Sequence, residues 1–229
     1  MPFDLTAGSL SSWELVSRLG EAQILLPAAA LAGTWMAWRL AMDKIASVWL
    51  LGVTVAAFLT TASKVAFIGW GQGWAQADFT GVSGHAMFAA AIYPVLALAV
   101  TLSARQRVRH LAIVLGAALA LLIAVSRVQV QAHSVSEVIA GWLLGTLASA
   151  LALTRGSAPL RPPRRWVPVL LMTWLTALPW LAPPSITHEL VTQLSLTLSK
   201  RTRPYQREDL HQHLPVPLDP GANHSFIPV

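Results

Sequence analysis

The chain has 229 residues, of which 55% are hydrophobic and only 11% charged, where a soluble domain carries roughly 25% charged residues. With a mean hydropathy of +0.56, this excludes an ordinary soluble globule and also a disordered or fibrous chain. There is no cysteine, which excludes disulfides, zinc–thiolate centres and thiol nucleophiles, and the net charge of +6 lies in short Lys/Arg clusters between apolar runs, the pattern of membrane loops and not of a nucleic-acid-binding face.

The first segment, 1–21, holds Asp4, Glu14 and Glu21 against Arg18, so it lacks the positively charged start of a secretory signal. Within it, residues 11–20 are expected to form a short interfacial helix capped by Ser11 or Ser12, with Glu14 placed for a capping box. Charge-free stretches then run over 22–38, 45–63, 86–104, 111–126, 138–154 and 166–187. A helix needs about 17–25 apolar residues to cross a bilayer, and 111–126 reaches that length only with its flanks. No period-two alternation is present, so a transmembrane barrel is excluded in favour of an all-α polytopic bundle of about six transmembrane helices, 22–184, almost free of strand. The Gly69, Gly71, Gly73, Trp70 and Trp74 patch follows no strand and reads as an interfacial loop. The tryptophans in general read as interface anchors, and Gly141 and Gly145 as a small-xxx-small helix contact.

Loop charge gives the orientation. Arg39 and Lys44, then Arg105, Arg107 and Arg109, then Arg155, Arg161, Arg164 and Arg165 fall on one side if the spans alternate, and that side is cytoplasmic. The N-terminus and the tail then lie outside, although the tail carries Lys200, Arg201, Arg203 and Arg207. Pro179, Pro183 and Pro184 leave a kinked or re-entrant sixth segment as the alternative. In the tail, 185–229, Ile186, Leu190, Leu194 and Leu198 recur every four residues and predict an amphipathic helix. From Thr202 onward Pro, His and Gln dominate and disorder is expected. His188, His211, His213 and His224 read as solvated tail residues, and Asp78 as a loop residue.

Ionisable residues at membrane depth are costly and mark function by default. Lys64 ends span two, His85 starts span three, Arg127 ends span four, and His133 and Glu137 start span five. Alternating spans bring all of them to the same external face. Chemically this set wants an anion. Lys64 and Arg127 would neutralise a phosphate, and the N–H groups of Ser83 and Gly84 at a helix start would add donors. Glu137, four residues after His133 on one helix face, would hold one imidazole nitrogen and leave the other to attack phosphorus. His85 would protonate the leaving oxygen. No third ligand completes a metal site and the cationic neighbours disfavour one, so no metal or cofactor is expected.

Ser83-Gly84-His85 followed by Ser126-Arg127-x5-His133-x3-Glu137 resembles the type-2 phosphatidic acid phosphatase family, related to vanadium haloperoxidases, over roughly residues 60–150. The family pattern is Lys-x6-Arg-Pro, Pro-Ser-Gly-His and Ser-Arg-x5-His-x3-Asp. The resemblance implies an α-helical, metal-independent membrane phosphatase acting on a lipid phosphate or diphosphate through a phosphohistidine. It makes His133 the nucleophile, Glu137 its orienting acid, His85 the proton donor, and Lys64, Ser83, Gly84 and Arg127 the phosphate binders. Candidate substrates by the same resemblance are undecaprenyl diphosphate, phosphatidate, phosphatidylglycerol phosphate and lipid A phosphates. The implied location is a bacterial inner membrane with the site facing the periplasm. Three positions depart from the pattern. Gly71 and Gln72 stand where Arg-Pro belongs, Val82 replaces a Pro, and Glu137 replaces Asp. The first removes a phosphate-binding cation, for which Lys200 or Arg201 could substitute if the tail is external. Two other readings fit these residues: a catalytically weakened module binding a phospholipid or partner protein, and a phosphotransferase to an acceptor other than water.

Overall fold

Nine helices follow one another in a computed structural model that describes residues 11–155, 166–181 and 185–212. They are α1 (Ser12–Arg18), α2 (Ala22–Leu40), α3 (Asp43–Trp70), α4 (Gly84–Val100), α5 (Gln106–Gln129), α6 (Val135–Leu153), α7 (Trp166–Leu181), α8 (Thr187–Ser199) and α9 (Arg207–Gln212). Among the described residues no strand forms. An antiparallel bridge, Trp74 to Phe79, closes the α3–α4 loop around a 3₁₀ turn. The expected all-α bundle is what the structure contains. Helices α3, α5 and α6, and the stretch Ser12–Trp38 that joins α1 to α2, are long and apolar enough to cross a membrane, while α4 and α7 are shorter apolar helices. The span expected over 111–126 is in fact a 24-residue helix, because its polar flanks are helical too.

Helix α4 is the axis of the bundle and packs against α2, α3, α5, α6 and α7. Its sequence is apolar on every side, so nearly every residue from Ala86 to Ala99 is buried. Helix α6 is built the other way round from a soluble helix. Gly141, Gly145, Ala148 and Ala152 face inward, while Ile139, Leu143, Leu147 and Leu151 are exposed. In water that arrangement would waste the leucines. In lipid, where close backbone approach drives helix association, it is the favoured one. The approach is tight: a β-carbon on Gly141 would stand 2.4 Å from Ser83 O, and one on Gly145 2.2 Å from Met87 O. The small-xxx-small contact thus clamps α6 onto the start of α4.

The tryptophans divide. Trp70, Trp74, Trp38 and Trp180 are exposed and suit an interfacial role. Trp49, read from sequence as an anchor, is instead fully buried and donates its indole N–H to Ala91 O at 2.8 Å. Trp35 is buried as well, and Trp174 ties α7 to α2 through Ile24 O at 2.9 Å.

Helix α1 begins with Ser11 as its cap, in a reciprocal box where Glu14 accepts from Ser11 N at 2.6 Å. At the other end of the chain, α8 lays Ser195 and Ser199 against Gly69 of α3 and leaves Leu190, Leu194 and Leu198 exposed, the amphipathic pattern expected. Disorder was expected from Thr202 onward. The chain instead continues in a defined path to Gln212, with Tyr205 N bonded to Ile68 O at 3.0 Å and Arg203 to Asp209 at 2.6 Å. Residues 213–229, with His213 and His224, lie outside the described residues, as do Arg161, Arg164, Arg165, Pro183 and Pro184.

Candidate active site

Four helices meet at one end of the bundle, and they carry Lys64 on α3, Arg127 in the last turn of α5, and His85 and Glu137 in the first turns of α4 and α6, with His133 in the α5–α6 loop. Lys64 does not end its helix as expected, because α3 runs on to Trp70. Every one of these five lies within electrostatic reach of at least two others. Convergence of this kind is a consequence of alternating helix direction and short connections.

The His133–Glu137 pair has a geometry the sequence reading did not foresee. The two residues do not share a helix face, because His133 lies outside α6, one residue before its cap, Ser134. Glu137 is the third helical residue and closes a capping box: Ser134 Oγ accepts from Glu137 N at 3.4 Å, and Glu137 Oε2 accepts from Ser134 N at 3.1 Å. The same Oε2 lies 2.7 Å from His133 Nδ1. Oε1 accepts from Thr80 N at 2.7 Å and from Thr80 Oγ at 2.5 Å. Glu137 is fully buried, and a buried carboxylate persists only when hydrogen-bonded and paired. With Nδ1–H committed to Glu137, Nε2 of His133 keeps its lone pair.

The anion-binding expectation at the start of α4 needs correction. The N–H of Ser83 is not free for a ligand, since it donates to Glu137 O at 3.1 Å. That bond follows from the α4–α6 contact at Gly141. Gly84 is the first residue of α4, where an N–H has no intrahelical acceptor. The nearest atom to a β-carbon there is Thr60 Cγ2 at 3.9 Å, so the space in front of Gly84 is open. The Ser83 hydroxyl is buried with no hydrogen-bond partner among the described residues, and Arg127 Nε likewise. Both can donate to a phosphate oxygen. On its other edge Arg127 Nη1 donates to Ser17 Oγ of α1. Gly20, just after α1, backs directly onto His85. The N-terminal segment therefore covers the His85–Arg127 side of the site.

The C-terminal segment covers the opposite side. Of the tail cations expected to stand in for the missing arginine, Lys200 is the exposed cap residue of α8, and Arg201 lies over the Tyr205 ring, 4.7 Å from its centre. Arg207 reaches the site. Its Nη2 donates to Glu137 Oε1 and Oε2, both at 3.0 Å, and its Nη1 to Asp78 O at 2.7 Å, with Asp78 Oδ2 at 2.5 Å. Asp78 also meets His211 Nε2 at 2.9 Å, so neither Asp78 nor His211 is a plain solvated residue. Sequence reasoning missed Arg207, Thr80 and Ser17. Arg207 contacts Glu137 across 70 residues of chain and belongs to no motif. Its only signal was a basic tail on the side where basic residues are not expected.

Comparison with known proteins gives the family. A family model described as the PAP2 superfamily matches residues 65–158, which include His85, Arg127, His133 and Glu137. A Klebsiella pneumoniae protein described as an uncharacterized 22.5 kDa protein in cps region is 34% identical over 206 residues, spanning 88% of this chain and 98% of the relative. No solved structure matches the chain.

Proposed function

Since the chain belongs to the PAP2 superfamily, whose members are phosphatases, and has the apolar helices of a membrane protein, we propose that it hydrolyses a lipid phosphate or diphosphate at the extracytoplasmic face, through a phosphohistidine. The observation that carries this reading is the His133–Glu137 pair at 2.7 Å, set among Lys64, Arg127 and His85 at one end of the bundle.

The chemistry follows from these groups. Lys64, Arg127, the Ser83 hydroxyl and the Gly84 N–H bind the phosphoryl oxygens and stabilise the charge that builds on them. His133 Nε2 attacks phosphorus and forms an N–P bond. The P–O bond to the lipid breaks, its electron pair stays on the leaving oxygen, and His85 supplies the proton. Water then attacks the phosphohistidine and gives its proton to His85, and the N–P electron pair returns to His133. Phosphate leaves and the starting protonation is restored. Glu137 holds the imidazole tautomer and balances its charge in the transition state.

The test is phosphate release by detergent-purified protein from a panel of lipid phosphates and diphosphates, with excess EDTA, with and without vanadate, beside His133→Ala. Release that resists EDTA, is blocked by vanadate and is absent from the variant is the expected result. Equal release by H133A overturns the phosphohistidine mechanism, and no release from the wild type on any substrate overturns the reading in favour of a membrane module that binds a phospholipid. Product analysis with added alcohol acceptors distinguishes hydrolysis from phosphoryl transfer.

A further inference from the structure

We infer that Arg207, delivered to the site by the docking of the C-terminal tail, is a positioning residue that holds Glu137 against His133. The inference rests on the phosphatase reading above and deepens it.

Two oddities of the sequence meet at this point. The resemblance calls for Arg-Pro at 71–72, where the chain has Gly71 and Gln72. The structure puts the tail in that place. Gly71 has φ +69, and a β-carbon on it would stand 3.0 Å from the Tyr205 ring. Gly73 is similarly filled, with a β-carbon 2.9 Å from Leu210 and 2.7 Å from Phe79 O. Side chains at 71 and 73 would push the tail away. Glycines there let Tyr205 and Leu210 dock, and docking delivers a guanidinium from α9.

The docking is specified at several points. Tyr205 N is held by Ile68 O at 3.0 Å and His211 by Asp78 at 2.9 Å. Buried Asp209 organises the tail itself, accepting from Arg203 at 2.6 Å and from Gln206 N at 2.8 Å. The product of this framework is one fork placed between two carboxylates, Asp78 and Glu137. Glu137 is fully buried, and His133 must be neutral to attack. Arg207 is thus the cation in direct contact with the Glu137 carboxylate before the reaction. Its planar fork spans both partners at once, which an ammonium does not do as well. Removal of the fork leaves a buried carboxylate short of a counter-charge, so protonation of Glu137 becomes easier. It also removes a cation near His133, so protonation of that ring becomes easier too. Both changes act in the same direction on activity against pH. The other charged groups around this pair are Lys64 on α3, His85 on α4 and Arg127 on α5, with Asp78 and His211 on the far side of Arg207.

The experiment is the kinetics of full-length wild type, Arg207→Gln, Arg207→Lys and Glu208→Ala in one detergent, on whichever panel substrate the wild type hydrolyses, across pH. Glu208 is exposed on the same helix, and E208A is expected to match the wild type. R207Q is expected to lose about 10- to 100-fold in kcat with a much smaller change in KM, and to lose activity at higher pH than the wild type on the acid side. R207K is expected to fall between the two. An R207Q enzyme with wild-type kcat and acid limb overturns the inference while the phosphatase reading stands. A wild type that releases no phosphate overturns the reading and the inference together. Should R207Q not survive purification, R207K decides alone: a change in KM with kcat and acid limb intact overturns the positioning role.

Discussion

Glu137 decides which nitrogen of His133 carries the proton. Oε2 takes His133 Nδ1–H and Ser134 N–H, while Oε1 takes Thr80 N–H and Arg207. Both oxygens face donors, so an amide has no orientation free of a donor–donor contact. In Glu137→Gln the Thr80 N–H favours the amide oxygen at the Oε1 position, which puts the NH2 against His133. Nδ1 must then accept, the proton moves to Nε2, and the nucleophile loses its lone pair. Turnover is expected to fall by about 10³- to 10⁴-fold, as when the orienting acid of a serine-hydrolase triad becomes an amide. Steady-state phosphate release beside a thermal melt checks this, and a folded E137Q with wild-type kcat refutes it. The pH dependence belongs to the same pair. Burial holds His133 below the ordinary histidine value of 6.5; the Glu137 hydrogen bond opposes this, and the Lys64 and Arg127 charges add to it. The neutral ring is the nucleophile, so activity is present above the lowered value and is lost as pH falls through it. The acid limb of kcat/KM is therefore expected below 6.5, and a limb at or above it counts against His133 as nucleophile. At this scale the motif spacing made Lys64, His85, Arg127, His133 and Glu137 legible. The Ser83 N–H was misjudged because its acceptor, Glu137 O, is set by a helix contact 54 residues away in sequence. The Ser134-x-x-Glu137 capping box was readable from the residues alone.

Helix α6 holds the site together through its small face. A methyl at Gly145 would stand 2.2 Å from Met87 O, and one at Gly141 2.4 Å from Ser83 O. Both obstacles are backbone, so only a shift of one helix against the other relieves them. Gly145→Ala is expected to destabilise the protein by about 3 kcal/mol, the upper part of the usual overpacking range, seen as a lower melting temperature in detergent. Gly141→Ala adds a catalytic loss, because the helix it displaces begins with Ser83 and Gly84. Gly84→Ala is the contrasting case. Its nearest neighbour is 3.9 Å away, so the fold is expected to keep its melting temperature while the methyl intrudes on the space for the phosphoryl group and lowers kcat/KM. Unequal melting of G84A and wild type would make Gly84 a packing residue. Six apolar stretches and the charges between them located α2 to α7, with α2, α5 and α6 ending within two residues of a charge and α3 running six residues past Lys64 to the glycine cap Gly71. Helix α9 escaped notice because six residues carry no periodic signal, and its stability comes from Asp78, Glu137 and the glycine loop, all distant in sequence.

On the scale of the whole molecule the arginines of the basic tail have partners within the protein. The positive-inside bias counts Lys and Arg in short loops close to the ends of the spans. Those of the tail are otherwise engaged: Arg203 with Asp209, Arg207 with Asp78 and Glu137, and Arg201 over Tyr205. Lys64 and Arg127 face the site. What remains at the opposite end of the bundle includes Lys44, Arg105 and Arg107, all exposed. Helices α1 and α9 both lie at the site end, which is what six crossings by α2 to α7 would give. The side of the membrane is then open to direct measurement, because the chain has no cysteine and a single introduced thiol gives no background. Glu208→Cys and Arg107→Cys, expressed in a bacterial inner membrane and treated with an impermeant maleimide on spheroplasts, are expected to label differently. E208C reacts at once, and R107C only after permeabilisation. The reverse pattern places the active site in the cytoplasm, where the lipid headgroups it meets are those of the inner leaflet. Labelling of both from one side breaks the six-crossing arrangement, and with it the reason that Arg207 and Glu137 reach the same end of the bundle.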